Sequence, residues 1–366
     1  MRPPVPGSDI RDAPEGGPGV LRRAITVRRV VILAGVAALA YYPYTGASTF
    51  MLYLGTLFFI WAIVASYWNL LNGYAGILSL GNLGFMALGA YTSAVMAKEL
   101  GLSPWLTMGI GALASMVLVT IFLGLPVFRL RGIYIALLTL VFADALPSLI
   151  SVFRAWTGGG IGLLGIPSLL PDMEEWQAYY IALVFFLVAH VVLYAIIKGK
   201  TGLAFVALRD SEEFAVGLGV DRFREGIKLF AISAFVTGMA GGLFAHLLGQ
   251  ISPGMLGIEQ FLMVIAMWLL GGVGTFFGPI IGAAIITFGG EYLRVLGSLR
   301  LGLLGGVIVL TVLFYPGGIM QLLAALGRLT RTGWETLGPA RGVRPRLEPT
   351  PSKEEVPAES SPGRSE

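Results

Sequence analysis

Apolar residues in this chain gather into long unbroken runs instead of alternating with polar ones. Ten such runs stand out, over residues 30–45, 50–72, 82–97, 104–127, 132–150, 178–197, 229–249, 258–273, 276–292 and 301–317. A helix that crosses a bilayer takes about 20 predominantly apolar residues. Runs this long, rich in Leu, Ala and Gly, lack the strict alternation of a membrane β-barrel strand. The pattern predicts an all-α, polytopic membrane protein with about ten transmembrane helices over residues 30–327. Several of these helices are expected to be short or broken at Gly and Pro stretches.

Charge falls between and outside the runs. Only 13% of the residues are charged, against 56% hydrophobic and a mean hydropathy of +0.80, where an average soluble domain carries about 25% charge. Residues 1–29 and 328–366 hold 13 of the 25 Lys and Arg and 9 of the 21 Asp and Glu; residues 198–228 hold another 6 and 5. Both ends are rich in Pro and mixed charge and too poor in large apolar residues to offset chain entropy, so they are expected to be disordered tails. Arg22, Arg23, Arg28 and Arg29 precede the first run, which predicts a cytoplasmic N-terminus. Counting runs from there places Arg129, Arg131, the 198–228 loop and the C-terminal tail on the cytoplasmic side. Asp172, Glu174, Glu175 and Glu259 fall outside, with Lys98, Arg154, Arg294 and Arg300 as exceptions. Ala38-Leu39-Ala40 could close a signal peptide, but Asp9, Asp12 and Glu15 in a 29-residue lead favour an uncleaved first span.

Composition excludes several chemistries. The chain has no Cys, so disulfides, thiolate nucleophiles and zinc–sulfur sites are out. Its two histidines, His190 and His246, lie far apart and match no metal-binding spacing. The net charge of +4 flanks apolar runs and belongs to no nucleic-acid motif. A phosphate-binding loop is missing too: five residues before Gly199-Lys200-Thr201 stands Tyr194, not Gly. Any ATP driving this chain must be hydrolysed on another one, and no cofactor of its own is expected.

Three segments carry candidate chemistry. Over residues 69–91, Gly73, Gly76, Gly81, Gly84 and Gly89 are interspersed with Asn69, Asn72, Ser79 and Asn82. Gly costs about 1 kcal/mol relative to Ala inside a helix. Such a cluster therefore marks either close helix packing or a helix break beside a substrate path. For Asn82 the two readings stand level. A second stretch, Gly271 to Ala283, contains Pro279 and separates two short apolar runs. Gly81 and Gly89-Ala90 match Gly274 and Gly282-Ala283 at one fixed offset, a weak hint of duplication. The third segment is the 198–228 loop. Phe214, Leu218 and Val220 form an apolar stripe ringed by charge, to be ended by Gly217 and Gly219, and this favours a docking surface over a plain connector. Among isolated polar residues, Asp144 lies about 20 Å along the fifth span from Arg131, before Pro147, and is either functional or hydrated. His190 reads as a helix–helix contact, while His246 and Glu291 read as near-interfacial. No span holds a carboxylate pair, which disfavours an ion-coupled transporter.

Taken together, these features resemble the LivM-type permease family of branched-chain amino acid ABC importers, over residues 30–325. Gly73-Tyr74-Ala75-Gly76 through Ser79-Leu80-Gly81 to Gly89-Ala90-Tyr91 is similar to that family's first signature. Arg131-Gly132-Ile133-Tyr134, Thr157-Gly158-Gly159, Gly165-Ile166-Pro167, Arg209-Asp210 to Gly219-Val220-Asp221, and Gly271–Gly282 follow in order. Ile77, Asn82, Asp144 and Phe214 depart from residues common there, which bears on cargo more than on fold, because related permeases carry urea, short amides or sugars. The resemblance implies an ATPase-coupling segment at Arg209, Asp210, Glu212, Glu213, Phe214, Ala215 and Gly219. It places a substrate path near Asn72, Gly76, Ser79, Gly81, Asn82 and Asp144. It also implies two ATP-binding subunits, a second homologous permease and an extracytoplasmic solute-binding protein, assembled in the inner-membrane bilayer with both termini cytoplasmic. A stand-alone secondary transporter or channel is the rival reading, and a membrane-embedded enzyme a distant third because no nucleophile–base pair is visible.

Overall fold

A computed structural model describes residues 30–320, apart from 31–32, 127–129, 131, 293–296, 298 and 315–316. The expected tails, 1–29 and 328–366, lie outside the described residues. Among the described residues, each of the ten apolar runs is mainly helical. Residues 33–41 lead into a tight turn, Tyr42–Thr45. There follow α1 (Thr49–Asn69), α2 (Asn82–Glu99), α3 (Pro104–Val119), α4 (Ile133–Val152) and α5 (Glu175–Lys198). The chain continues with α6 (Lys200–Asp210), α7 (Glu212–Gly217), α8 (Arg222–Leu248), α9 (Ile258–Gly271), α10 (Gly278–Tyr292) and α11 (Leu299–Phe314). Five helices among the described residues are long and apolar enough to cross a membrane: α1 and α3 with their C-terminal extensions, α4, α5 and α8. The protein is an all-α polytopic membrane protein, as the apolar runs predict.

α1 is the most enclosed helix. Phe59, Ile60, Val64, Tyr67 and Trp68 are fully buried along it, where it packs against α5, α8, α9 and α10. Ser66 Oγ meets His190 Nε2 of α5 at 3.0 Å and the other ring nitrogen faces the Phe186 carbonyl at 2.8 Å, the satisfied helix–helix contact expected of that histidine. A second packing centre joins α8 to α2 and α3 through small residues, which let membrane helices approach closely. A Cβ on Gly89 would strike the Gly238 carbonyl, and one on Gly241 would strike the Met86 carbonyl. Backbone, not flexible side chain, fills that space, and overpacking costs about 1–3 kcal/mol even where a core can give. Gly241→Leu is therefore expected to lower the thermal midpoint of the purified protein by several degrees. Gly109→Leu, with nothing within 4 Å of its added Cβ, should leave that midpoint unchanged in the same fluorescence melt.

At the end of the bundle remote from α6 and α7, Leu163–Leu164 pairs antiparallel with Gln250–Ile251, Leu163 opposite Ile251 and Leu164 opposite Gln250. This loop is pinned from below. Lys98 Nζ donates to the Leu164 carbonyl at 3.0 Å and Trp105 Nε1 to the Leu169 carbonyl at 3.1 Å. His246 differs from the interfacial position expected of it. The loop folds over it, leaving it fully buried, with Nδ1 2.7 Å from the Pro167 carbonyl and Nε2 2.8 Å from Ser93 Oγ.

The charged 198–228 segment is more helical than a connector. α8 starts at Arg222, several residues ahead of its apolar run, because Asp221 caps it: its carboxylate accepts from the Arg224 N–H at 3.2 Å. Lys228 and Glu225 add an ion pair at 2.6 Å on the next turn. Ser211 caps α7 in the same way, and the helix ends at Gly217–Gly219 as the glycines predict, Gly219 having φ +88°.

Candidate functional site

α1 ends in an unusually wide turn. Residues Leu70–Tyr74 are wound one residue wider than an α-helix, with the Ala75 N–H donating to the Leu70 carbonyl and that of Ile77 to the Leu71 carbonyl. Wide turns of this kind gather at functional sites. The chain then runs without helix from Ala75 to Gly81 and re-enters helix at Asn82. Polar side chains hold this break. Asn72 Oδ1 accepts from the Ser79 N–H at 2.9 Å while its Nδ2 donates to the Ser79 carbonyl at 3.3 Å. Trp68 Nε1 donates to that same carbonyl, and the Leu80 N–H donates to Thr139 Oγ1 of α4 at 2.9 Å.

The second glycine stretch forms a tight antiparallel hairpin of α9 and α10. A Cβ on Gly271 would meet the Gly278 carbonyl, and one on Gly282 would meet the Met267 carbonyl. The arms have 14 and 15 residues, about 21 and 22 Å long at 1.5 Å per residue, short of the roughly 30 Å hydrocarbon core.

The two breaks meet. Asn69, at the last residue of α1, donates from Nδ2 to the Thr275 carbonyl at 2.9 Å and accepts at Oδ1 from the Gly274 N–H at 2.8 Å. This amide grips the α9–α10 turn as a neighbouring strand would. Gly73 faces the same turn so closely that an added Cβ would lie 2.5 Å from the Gly274 nitrogen.

A third element reaches this junction. Arg209, at the end of α6, turns inward: its Nη1 donates to the Gly73 carbonyl at 2.9 Å, while Nε and Nη2 hold Asp210 Oδ1 at 2.9 and 2.8 Å. A cation at the C-terminal end of α1 is favoured by the helix dipole, and a hydrogen bond from a charged donor contributes about 1.5–3 kcal/mol. Gly76, at φ +67°, lets the arginine stem pass, since any Cβ there would collide with Arg209 Cγ. Arg222 of α8 makes a second tie, from Glu212 Oε1 at 2.7 Å to the Leu130 carbonyl, just before α4, at 3.3 Å. Between the two ties lies a cavity of about 600 Å³, walled by Gly76, Ile77, Leu78, Ile133, Phe205 and Arg209 among others.

The residues expected along a substrate path divide. Asn72, Gly76, Ser79, Gly81 and Asn82 come together at the first break. Asn82 is fully buried, its Nδ2 3.5 Å from the Val64 carbonyl; its Oδ1 and Ser79 Oγ have no partner. Gly81 admits the Thr139 carbonyl, 2.8 Å from where a Cβ would stand. Asp144 stands apart on the exposed face of α4, opposite the side that packs on Gly84 through Ala143 and Leu146. The expected coupling residues divide too. Glu213, Phe214 and Gly219 are exposed, Glu212 is half-buried against Arg222, Ala215 is buried and Arg209 points inward. Phe214 and Leu218 are 68% and 70% exposed, with Val216 beside them. Thr139 and Arg222 are positioning residues that the sequence reading did not single out, and Asn69 is one that it noted in the glycine stretch but did not place in the site. Only the regular polar interruption of the glycine stretch signalled Asn69.

Comparison with known proteins identifies the family. The family model for "Branched-chain amino acid transport system / permease component" matches residues 50–312. The chain is 30% identical over 337 residues to the high-affinity branched-chain amino acid transport system permease LivM of Escherichia coli K12, covering 84% of this chain and 79% of the relative. It is 30% identical over 296 residues to LivM of Salmonella typhimurium LT2, covering 74% and 69%. It is also 28% identical over 268 residues to the autoinducer 2 import system permease LsrC of Enterobacter sp. 638, covering 65% and 76%. No solved structure matches the chain. The family is one of membrane permease subunits of ABC transporters, not of enzymes. With its motifs in order and the match spanning α1 to α11, the chain belongs to the LivM-type permease components of branched-chain amino acid transport systems.

Proposed function

We propose that this chain is the membrane permease of an importer that carries branched-chain amino acids into the cell, powered by ATP hydrolysis on two separate subunits. The observation that carries the reading is the exposed apolar tip at Phe214, Val216 and Leu218, set on α7 beside Glu213. In water such a tip calls for a partner, and its place on a short capped helix suits a groove in an ATP-binding subunit. In this reading the 198–228 segment is cytoplasmic, as are both tails, and the Leu163–Gln250 end faces the solute-binding protein. A second homologous permease covers the exposed face of α4. A carboxylate within a membrane span calls for polar or protein surroundings, so Asp144 supports placing that face on a protein-lined path. Asn72, Ser79 and Asn82 would line the same path from the first break, and the cavity beneath Gly76 would be its cytoplasmic end.

For the cargo, the two LivM relatives favour amino acids, while the LsrC relative keeps another small polar solute as the second reading. Uptake of labelled leucine by the reconstituted complex, in competition with isoleucine, valine, urea and short amides, separates them. Isoleucine and valine in modest excess should suppress uptake at least tenfold and urea not at all. Competition by urea or amides alone would replace the amino-acid assignment with the second reading.

A further inference from the structure

We infer that Arg209 is a positioning residue that carries displacement of the docking helices α6 and α7 to both glycine-rich breaks at once. The inference rests on the permease reading above. Sequence alone groups Arg209 with the docking charges, yet its guanidinium faces into the membrane domain. One side is held by Asp210 of its own segment, and Nη1 bonds the Gly73 carbonyl at 2.9 Å. Gly73 is also the residue whose backbone touches the α9–α10 turn, and Asn69, one turn earlier, is bonded to both Gly274 and Thr275. The path from α6 to the hairpin therefore crosses two polar links, Arg209 to Gly73 and Asn69 to Gly274. Both ends of Asn69's amide are used and every link is direct. The fit leaves no slack. Gly76 has no room for a Cβ beside the Arg209 stem, nor Gly73 beside Gly274, so a shift of α6 pushes on backbone. Arg209 and the segment Gly76 to Leu78 are both part of the wall of the cavity between the two ties. Movement of this arginine thus reshapes the cavity and the break together. Arg222 ties α7 to the residue before α4 through Glu212, and α4 in turn meets the first break, where Thr139 Oγ1 accepts from the Leu80 N–H.

The natural absence of Cys provides the test. Leu78→Cys and Val273→Cys put spin labels on exposed positions, one within each break. In the assembled complex, ATP should shift the distance between these labels. With Arg209→Gln the ATP subunits should still co-purify in normal ratio, but the shift should vanish and solute moved per ATP hydrolysed should fall at least tenfold. Arg209→Lys, which keeps one donor to the Gly73 carbonyl, should restore part of both. An unchanged shift and transport ratio in Arg209→Gln would overturn the inference. Loss of the ATP subunits from Arg209→Gln would overturn it too, by making Arg209 a docking residue. If the chain with Arg209 intact binds no ATP subunits at all, the permease reading itself fails.

Discussion

Gly73→Ala is expected to reduce uptake by the reconstituted complex more than tenfold while leaving the protein folded and inserted. Its φ does not lie in the left-handed region reserved for glycine, so the methyl group imposes no backbone strain of its own. The cost is contact. That methyl would overlap Asn69 Oδ1 and stand 2.5 Å from the Gly274 nitrogen and 2.9 Å from its Cα. Two of the three atoms are backbone, so relief requires the α9–α10 turn to retreat and the Asn69 bonds to Gly274 and Thr275 to stretch or break. Overpacking of this kind costs about 1–3 kcal/mol, enough to weaken the junction without unfolding a helix as enclosed as α1. The measurements are initial uptake rate in proteoliposomes and elution volume on size exclusion. Uptake at the wild-type rate with a normal elution profile would remove the junction from the transport cycle.

The second large effect belongs to the exposed apolar tip of α7, proposed above as a docking surface. Phe214→Asp combined with Leu218→Asp should weaken retention of the ATP-binding subunits at least a hundredfold and abolish ATP-driven uptake. Burying one such side chain contributes about 1.5–3 kcal/mol, and a buried unpaired carboxylate adds a further penalty. Because both side chains point into solvent, insertion and the fold of the chain should be untouched. Gly219→Pro should act in the same direction by another route. Proline fixes φ near −65°, where this residue sits at +88°, so the end of α7 must rearrange and carry Leu218 with it. Retention of the ATP-binding subunits by the double variant, measured by co-purification, would falsify the docking role of this tip.

Much of the molecule is legible in one dimension because lipid imposes a simple rule. Unbroken apolar runs must be helices, and among the described residues all ten are mainly helical. The first glycine stretch leaves packing and a break both open, and the structure uses both: Gly73, Gly76 and Gly81 stand at the break, while Gly84 and Gly89 lie inside α2, Gly89 against the Gly238 backbone. What a one-dimensional pattern does not carry is which break meets which. Asn69 and Gly274 stand 205 residues apart, and no spacing rule joins them. The direction of Arg209 is hidden likewise. It stands among charges that face water, and only the carbonyl left free at Gly73 turns it inward. His246 reads as interfacial from its place near a helix end, but a loop 79 residues away covers it. The stop of α7 at Gly217 and Gly219, decided by local chemistry, agrees with the sequence. Positions decided by distant partners do not show in it.

The wide turn at Leu70–Tyr74 sets a constraint of counting. An α-helix advances about 100° per residue, so one added residue per turn rotates everything after it by that angle. Here the rotation aims Gly73 at Gly274 and its carbonyl at Arg209. Removing any one residue from the turn, whatever its identity, would swing both targets about a quarter-turn out of line. In this short stretch the number of residues is as binding as their kind. A relative that shares this junction is therefore expected to keep the same length from Asn69 to Gly76.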